Sequence, residues 1–466
     1  MEKSVKRGSF TGSIGFVLAA AGSAVGLGNI WRFPYLAAKD GGGLFLLCYL
    51  VLALTFGFAL LTTEIAIGRK TGQSPLTAYG ALHRRFRWLG GIASAVPSII
   101  LPYYCVIGGW VLKYLAVFLT GGGEEAMADG YFTAFITAQW SQLIWFALFM
   151  AATAAVVYMG VDSGIERLSK ILMPILLVMI LSIACFSLTL SHTDESGVTR
   201  TGWEGFVVYA VPNFEGLTLR GFMVVLMDAL GQLFYSISVA MGIMITYGSY
   251  VKKETNLVQS VNQIEFFDTV VAFLAGLMIV PAVYTFQGTE GMAAGPSLMF
   301  ISLPRVFGAM GKVGAVVGVV FFIMVAFAAL TSSVSIMEAV VSGLVDRYRM
   351  RRKKATLMVT ALATLAGVVV CLGYNVFYFE LHLPNDTVGQ ILDVMDYVSN
   401  FCLMPVVAFC TCVLIGWILK PATVIDEIKT GGSRFSREKL YVAMIRFVAP
   451  VLLVFLLLQA LGIVKL

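Results

Sequence analysis

Apolar residues recur along this 466-residue chain in runs that are long enough to cross a membrane as helices. A spanning helix needs about 20 predominantly apolar residues. The pattern predicts eleven spans, near residues 13–38, 42–69, 89–120, 139–159, 168–190, 219–250, 260–286, 313–345, 356–373, 387–419 and 442–463. The sequence therefore predicts an all-α polytopic membrane protein.

The first span contains a cluster that a straight helix does not explain. Residues 22–34 read Gly-Ser-Ala-Val-Gly-Leu-Gly-Asn-Ile-Trp-Arg-Phe-Pro, with three glycines, an asparagine and an arginine inside an apolar stretch. In hydrocarbon, backbone groups freed from a helix must find partners in protein or in a water-filled cavity. Broken helices at the middle of the membrane are typical of secondary transporters, where they bind substrate and coupling ions.

The sixth span repeats this feature at residues 231–242, which read Gly-Gln-Leu-Phe-Tyr-Ser-Ile-Ser-Val-Ala-Met-Gly. Small residues at a helix–helix contact are the alternative interpretation. Two such segments five spans apart indicate two five-helix repeats, and an odd number of spans makes the repeats inverted. We expect an N-terminal segment at 1–12, repeats at 13–190 and 219–419, a loop at 191–218, and a loop with the eleventh helix at 420–466.

Charge sets the orientation of the predicted spans. Most Lys and Arg residues fall on one side when the N-terminus is placed in the cytoplasm, including the basic run 347–354, which we interpret as a juxtamembrane positive patch. Eleven spans then place the C-terminus outside. The net charge of +6 is thus a topology signal, and we expect no binding to nucleic acid.

Composition agrees with a membrane protein and narrows the chemistry. The chain is 59% hydrophobic and 12% charged, with a mean hydropathy of +0.88. Its 7 cysteines lie in apolar segments, and 3 histidines argue against a transition-metal site. Ser332 and Ser333 have no His or Lys base in the same pattern, so we predict that the protein is not an enzyme.

A few polar residues inside the spans are candidates for function, because charges at this depth are costly. Asp268 has no nearby Lys or Arg in the sequence and needs a cation or a proton. Glu64 is interpreted as a group that ties the loose ends of the broken helices. Oxygen ligands such as these suit Na⁺ as they suit other hard cations.

The order of several motifs resembles the neurotransmitter:sodium symporter family, in its bacterial, leucine-transporter-like, eleven-span form. The most specific motif is Ala-Val-Gly-Leu-Gly-Asn-Ile-Trp-Arg-Phe-Pro-Tyr at 24–35, and Glu-Ile-Ala-Ile-Gly-Arg follows at 64–69. Tyr-Tyr at 103–104, Thr-Tyr-Gly-Ser-Tyr at 246–250 and Ala-Ala-Leu-Thr-Ser-Ser at 328–333 continue the pattern. The resemblance implies the leucine-transporter fold, with two inverted five-helix repeats, discontinuous first and sixth helices and one extra C-terminal helix.

The resemblance also implies two sodium sites. The first would be formed by Ala24, Asn29, Ser236 and Asp268. The second would be formed by Gly22, Val25, Ala328, Thr331 and Ser332. Whether Asp268 acts as a sodium ligand, a proton carrier or both stays open at this point.

The substrate site and two gates are implied in the same way. The substrate would be bound by Ala24, Gly26, Leu27, Gly28, Ile100, Tyr104, Tyr235, Ser236, Ser238, Ala240, Met241, Ser333 and Ile336. The outer gate would be Arg32 with Asp396, and the inner gate Arg7 with Asp346, helped by Tyr250.

Departures from the family pattern refine the expected substrate. Relatives that carry monoamines have an Asp at the position of Gly26, so the ligand here is expected to bring its own carboxylate. Asp268 supplies a fixed negative charge in the seventh span, so we predict independence from chloride. The predicted pocket is mostly apolar, and Met241 is a soft, adaptable lining residue.

These points predict a sodium-coupled symporter that imports a neutral, hydrophobic or aromatic amino acid by alternating access. The alternatives are a non-transporting amino-acid sensor on the same fold, and a symporter for a small neutral amino acid or an osmolyte. We expect a multi-pass protein of the bacterial plasma membrane, for which a monomer is sufficient.

Overall fold

The computed structural model describes residues 8–194, 197–292, 296–384, 388–430 and 433–464. Within these ranges the chain forms 22 α-helices and 4 short β-strands. Its first helices are α1 (Ser13–Ala24), α2 (Leu27–Lys39), α3 (Gly43–Leu52), α4 (Phe58–Thr71), α5 (Pro75–Leu82), α6 (Arg87–Leu119), α7 (Gly123–Met127), α8 (Tyr131–Thr137), α9 (Gln139–Met159), α10 (Arg167–Leu188) and α11 (Gly202–Ala210).

The remaining helices follow in the second half of the chain. They are α12 (Leu219–Ser236), α13 (Ile243–Gly248), α14 (Leu257–Gln287), α15 (Leu303–Ala309), α16 (Lys312–Tyr348), α17 (Arg352–Leu372), α18 (Ile391–Asp396), α19 (Met404–Val413), α20 (Ala422–Lys429), α21 (Glu438–Ala443) and α22 (Ala449–Ala460).

Other helical turns and strands complete the chain. The π-helical stretches are Ala53–Gly57, Val161–Glu166, Leu298–Ser302, Tyr397–Leu403, Leu414–Ile418 and Met444–Val448, and the 3₁₀ turns are Arg84–Phe86 and Thr289–Gly291. The strands form two antiparallel hairpins, β1 (Ser191–Thr193) with β2 (Thr199–Thr201), and β3 (Leu381–His382) with β4 (Val388–Gly389).

Nine helices of the described chain are long and apolar enough to cross a membrane, and α1 with α2 forms a tenth, bent span. Ten of the eleven predicted segments therefore have a structural counterpart. The sixth predicted segment, 219–250, is divided into α12 and the six-residue α13. Neither of these helices is a candidate span by itself, and the two together are not one either. The predicted helical architecture is confirmed, but the predicted count of eleven spans is not.

Local sequence explains where several helices begin and end. Thr201 and Glu204 form a capping box at the start of α11. The Asn256 side chain accepts a hydrogen bond from the Gln259 amide, 3.1 Å away, at the start of α14. Gly72 ends α4 in the left-handed conformation, which costs glycine little because it has no Cβ.

The centre of the molecule is formed by long helices that surround the two breaks. Helix α16 packs along α6, and α1 packs between α10, α14 and α16.

Large apolar side chains elsewhere face outwards, such as Leu357, Leu362 and Leu365 on α17, which are 60–67% exposed. In a membrane protein such a surface faces lipid, so the polar groups of the broken helices are kept at the centre.

Candidate functional site

The first broken helix changes direction by 54° between α1 and α2. Val25 and Gly26 have extended backbone there. The Val25 amide still donates to the Ala21 carbonyl at 2.7 Å, which closes the last turn of α1. The Leu27 and Gly28 amides at the start of α2 have no preceding helical turn to donate to, so this end of the helix, which lines the central cavity, carries a partial positive charge.

The second break separates α12 from α13 over residues 237–242. Three residues there have left-handed backbone: Ser238 with φ of 54°, Ala240 with φ of 60° and Gly242 with φ of 72°. Only glycine adopts this region without a steric cost, so the two non-glycine residues need support from their surroundings. Glu64 provides it, because its Oε1 accepts a hydrogen bond of 2.6 Å from the Ala240 amide.

Side chains join the two breaks directly. The Ser238 hydroxyl donates to the Ser23 carbonyl at 3.0 Å and lies 3.2 Å from the Ser23 hydroxyl. The Gln232 side-chain amide donates to the Gly28 carbonyl at 3.2 Å. Unwound backbone from both halves of the chain therefore shares one polar centre.

A cluster of buried oxygen atoms lies beside these contacts, between α2, α12 and α14. The Asp268 Oδ1 atom accepts hydrogen bonds from the Ser236 hydroxyl at 2.7 Å and the Asn29 side-chain amide at 3.1 Å. Its Oδ2 atom accepts one from the Tyr49 hydroxyl at 3.1 Å. Asp268 is 1% exposed and has a full carboxylate charge to offer when ionised, and this arrangement of hard oxygen atoms suits a small cation.

A second oxygen cluster lies where α16 passes the end of α1. The Ser332 hydroxyl is 3.4 Å from the carbonyl oxygens of both Gly22 and Val25 and 3.1 Å from that of Ser23. The hydroxyl of the preceding residue, Thr331, donates to the Ala328 carbonyl at 3.1 Å. Asn29, Ser236 and Asp268 thus lie in one oxygen cluster, and Gly22, Val25, Ala328, Thr331 and Ser332 lie in a second, whereas Ala24 lines the cavity between the breaks.

The two breaks enclose a narrow cavity of about 30 Å³. It is lined by Ser23, Ala24, Gly26, Leu27, Gly28, Asn29, Ile100, Tyr104, Tyr235, Ser236, Ser238, Met241, Ser332 and Ile336. No Lys, Arg, Asp or Glu side chain is among these described lining residues. Any charge on a ligand's side chain would therefore stay unpaired in the cavity.

Two residues predicted for the substrate site do not line this cavity. The Ser333 hydroxyl points away, towards α9, and lies 2.8 Å from the Thr153 hydroxyl. Ala240 contributes its amide to Glu64 instead. Both deviations arise because the sequence shows which residues are near a break but not which way each one points.

Helix α2 approaches its neighbours closely at the top of the cavity. The Leu27 amide points at the Tyr104 hydroxyl, 3.5 Å away. A Cβ atom on Gly28 would lie 2.5 Å from Cδ1 and Cε1 of Tyr235, so only glycine allows this contact. The Tyr235 ring therefore closes the cavity on the side of α2.

The predicted outer gate residues line a second cavity of about 400 Å³ beyond Tyr235, but no ion pair joins them in the described chain. The Arg32 guanidinium lies over the Phe401 ring, 5.5 Å from its centre. The Asp396 carboxylate accepts hydrogen bonds from the Asn400 side chain at 2.6 Å and the Tyr103 hydroxyl at 3.1 Å.

At the opposite end, Arg7 lies outside the described residues, so its predicted pairing with Asp346 is not visible. Asp346 accepts a hydrogen bond of 2.6 Å from the Ser74 amide. Tyr250 donates through its hydroxyl to Glu338 at 2.6 Å.

This end also contains an ion pair that the sequence reasoning missed. Arg352 donates to both carboxylate oxygens of Glu338, at 2.9 Å and 2.5 Å, and Glu338 is fully buried. Arg352 belongs to the basic run 347–354, which the sequence predicts to be a juxtamembrane positive patch, and in addition it pairs with this buried carboxylate. Glu338 is an acidic residue in the apolar helix α16, and this feature of the sequence could have indicated a buried ion pair.

Comparisons with known proteins agree with this arrangement. The family described as "Sodium:neurotransmitter symporter family" matches residues 7–122 and 136–465. A protein of Bacillus subtilis named "Uncharacterized sodium-dependent transporter YhdH" is 34% identical over 462 residues, 97% of each chain. The human "Sodium- and chloride-dependent GABA transporter 2" is 26% identical, over 91% of this chain and 75% of its own length.

A solved structure is similar over its whole length. The crystal structure of MhsT in complex with L-phenylalanine has a TM-score of 0.84 and 33% sequence identity, with 98% of this chain and 100% of that chain covered. The leucine-transporter fold predicted from the motifs is thereby confirmed, together with sodium-dependent symport as the general activity. Both the family match and the relative of 34% identity extend over nearly all of the chain, which belongs to the sodium:neurotransmitter symporter family.

Proposed function

We propose that this protein is a chloride-independent symporter that couples Na⁺ to the import of a neutral amino acid with a hydrophobic or aromatic side chain. One observation carries the proposal. The amides at the start of α2 and the Asn29–Ser236–Asp268 cluster border the same cavity, whose described lining residues offer no charged group to a ligand. An amino-acid carboxylate placed there contacts the helix start and a bound sodium ion together.

Helix starts attract anions, because their unpaired amides and the helix dipole favour negative charge. Leu27 and Gly28 are the amides concerned, and the Tyr104 hydroxyl is 3.5 Å from the first of them. With glycine at position 26, the protein supplies no carboxylate of its own at this point. The substrate is therefore expected to supply one.

The rest of the cavity favours an uncharged, apolar side chain. Ile100, Met241 and Ile336 provide its apolar wall, and Met241 adapts to different shapes because its side chain is flexible. L-phenylalanine bound to the relative MhsT agrees with a large side chain. The space of about 30 Å³ is far below the ~300–1,000 Å³ that is usual for small-molecule pockets, so the walls must separate to admit such a substrate.

The geometry suggests how coupling works. Na⁺ at Asp268 and the substrate carboxylate would each strengthen the binding of the other, since they carry opposite charges and share the break. The substrate would also bridge the two broken helices. Tyr235, which already packs over the cavity, would keep it closed on that side, and opening at the Glu338–Arg352 end would then complete alternating access. We propose the plasma membrane of a bacterium as the location, with the N-terminus in the cytoplasm and one monomer sufficient.

Uptake into proteoliposomes tests this function. We expect an inward Na⁺ gradient to drive accumulation of phenylalanine or another large neutral amino acid from a mixed set. K⁺ in place of Na⁺ should abolish accumulation, whereas gluconate in place of chloride should leave it unchanged. Chloride-dependent uptake would contradict the proposed role of Asp268. Accumulation of only small amino acids or osmolytes would overturn the substrate class.

A sensor that binds but does not transport is the second candidate, since the same site would serve it. Na⁺-dependent binding of radiolabelled phenylalanine to the purified protein, without accumulation in vesicles, would favour a sensor. Accumulation against the gradient would exclude it.

Gly26→Asp should weaken the binding of ligands that carry a carboxylate more than the binding of amines that lack one. A Cβ atom at Gly26 would lie 3.0 Å from the Ser332 hydroxyl and 3.2 Å from the Tyr104 hydroxyl, at the proposed carboxylate position. Two like charges about 4 Å apart repel by about 4 kcal/mol at an effective dielectric of about 20, so we expect phenylalanine binding to fall by about a hundredfold or more. Competition binding with phenylalanine and with its decarboxylated amine measures the difference. Gly26→Ala, the control, adds the carbon without the charge, and equal losses in both variants would contradict the proposed placement.

A further inference from the structure

Lys39, Asp40 and Asp228 form a charged cluster where α2 ends beside α12, away from the substrate cavity. The Lys39 ammonium is 2.8 Å from Asp228 Oδ2 and 3.7 Å from Asp40 Oδ1. Asp40 is only 7% exposed, and its Oδ2 atom has no hydrogen-bond partner among the residues that the structure describes. Two carboxylates thus share one ammonium group, and one of them is buried with an unsatisfied oxygen.

Backbone hydrogen bonds hold the turn that carries Asp40 in place. The Gly42 amide donates to the Ala37 carbonyl at 2.8 Å, and the Asn213 amide donates to the Gly41 carbonyl at 3.1 Å. Gly42 has φ of 57°, and a Cβ atom there would lie 2.2 Å from the Val208 carbonyl oxygen. The turn after α2 is therefore held against the segment that follows α11.

The groups around Asp40 determine its protonation. Lys39 and Tyr35 face the cluster from α2, Asp228 faces it from α12, and the segment 208–213 presents backbone groups. Burial raises the pKa of Asp40 most, the neighbouring Asp228 raises it further, and Lys39 opposes both, so that the pKa is about 7. Two adjacent carboxylates with one cation cannot both ionise without a penalty.

We propose that Asp40 and Asp228 form a proton-binding site on the predicted outer face, which joins the ends of α2 and α12 when it holds a proton. The proton bridges the two carboxylates, and Lys39 balances the single negative charge that remains. When Asp40 loses the proton, two carboxylates face each other across the helix contact and loosen it. Since the folded-state pKa of Asp40 is raised, the contact is fully present at low pH and is lost as pH rises through about 7.

This site acts on the substrate cavity through the two helices that it joins. Helix α2 carries Gly28, and α12 carries the Tyr235 ring that packs on it. A substrate that bridges both helices binds more tightly when their ends are held together. This consequence rests on the proposed function, whereas the proton site itself does not.

Infrared titration of the full chain in lipid tests the proton site directly. In the wild type, a protonated-carboxyl signal should disappear with a midpoint near pH 7. Asp40→Asn should lack this signal, and Glu215→Gln, which neutralises an exposed acid in the nearby segment, should retain it. The same signal in Asp40→Asn would overturn the proposal.

A second variant covers the case in which Asp40→Asn does not fold. Lys39→Gln removes the opposing positive charge, so the midpoint should move to higher pH. An unmoved midpoint would overturn the proposal.

Binding of phenylalanine at different external pH values tests the coupling. We expect the affinity of the wild type to be about five- to tenfold higher near pH 6 than near pH 8, at the lower end of typical coupling between two sites. Asp40→Asn should bind with high affinity at both pH values, and Glu215→Gln should follow the wild type. A pH dependence that Asp40→Asn retains would overturn the coupling. Failure of all variants to bind phenylalanine would count against the proposed function, while the infrared signal would still decide the proton site.

Discussion

Asp268→Asn is expected to weaken Na⁺ binding by about a hundredfold or more, and to abolish sodium-driven uptake at ordinary Na⁺ concentrations. Asp268 is the one carboxylate in the Asn29–Ser236 cluster of the described chain, and it is 1% exposed. A unit charge about 4 Å from a bound cation contributes about 4 kcal/mol at an effective dielectric of about 20. The substitution removes this charge and places an amide donor beside the cation.

Sodium titration of phenylalanine binding measures the effect. Glu265→Gln provides a matched control, because Glu265 lies on the same helix but pairs with Arg437, 3.0 Å away. Its sodium affinity should stay within about threefold of the wild type. Ser236→Ala removes a neutral ligand and should cost about tenfold, in line with a single lost interaction of about 1–2 kcal/mol. If Asp268→Asn kept a wild-type sodium affinity, the first oxygen cluster would not be a sodium site.

Chloride gives a second readout of the same residue. If the carboxylate supplies the fixed negative charge, the wild type should be indifferent to replacement of chloride by gluconate. In Asp268→Asn, chloride should restore part of the lost binding if a small anion reaches the Tyr49 and Ser236 hydroxyls. Chloride dependence already present in the wild type would show that the charge balance is achieved elsewhere.

The sequence predicted those parts of the site that depend on local composition. Glycine and asparagine inside an apolar run indicated the first break, and α1 does end at Ala24, two residues before Gly26. The hydroxyl-rich stretch after Gly231 indicated the second break in the same way. Both predictions succeed because a freed backbone in a membrane is costly, and only a few residue types make it tolerable.

Contacts between distant residues could not be predicted in this way. The Lys39 ammonium reaches the Asp228 carboxylate, 189 residues further along the chain, and Glu338 meets Arg352 after the turn that follows α16. Lys39 and Arg352 are each compatible with an exposed position at a helix end, and the position of Glu338 inside an apolar helix does not identify its partner. The direction of a side chain cannot be read from the sequence either. The sequence predicts that Arg32 pairs with Asp396, whereas the Arg32 guanidinium lies over the Phe401 ring.

Glu64→Ala should remove the hydrogen bond that supports the second break and reduce uptake by about tenfold or more. The Glu64 carboxylate, 3% exposed, holds the Ala240 amide at 2.6 Å, and Ala240 has left-handed backbone. Without an acceptor, a buried amide costs about 1–3 kcal/mol, and the strained segment that carries Met241 loses its fixed position. The thermal unfolding temperature of the purified protein should therefore fall by several degrees together with phenylalanine binding.

Two control variants show whether the lost acceptor is the cause. Glu64→Gln keeps an acceptor oxygen and should retain most of the binding and stability. Thr62→Val alters a buried hydroxyl two residues away on α4 that has no hydrogen-bond partner in the described chain, and it should have little effect. Equal losses in Glu64→Ala and Thr62→Val would indicate that packing of α4, and not the bond to Ala240, maintains the break. A loss confined to Glu64→Ala would instead show that one hydrogen bond from the first repeat determines the shape of the substrate site in the second.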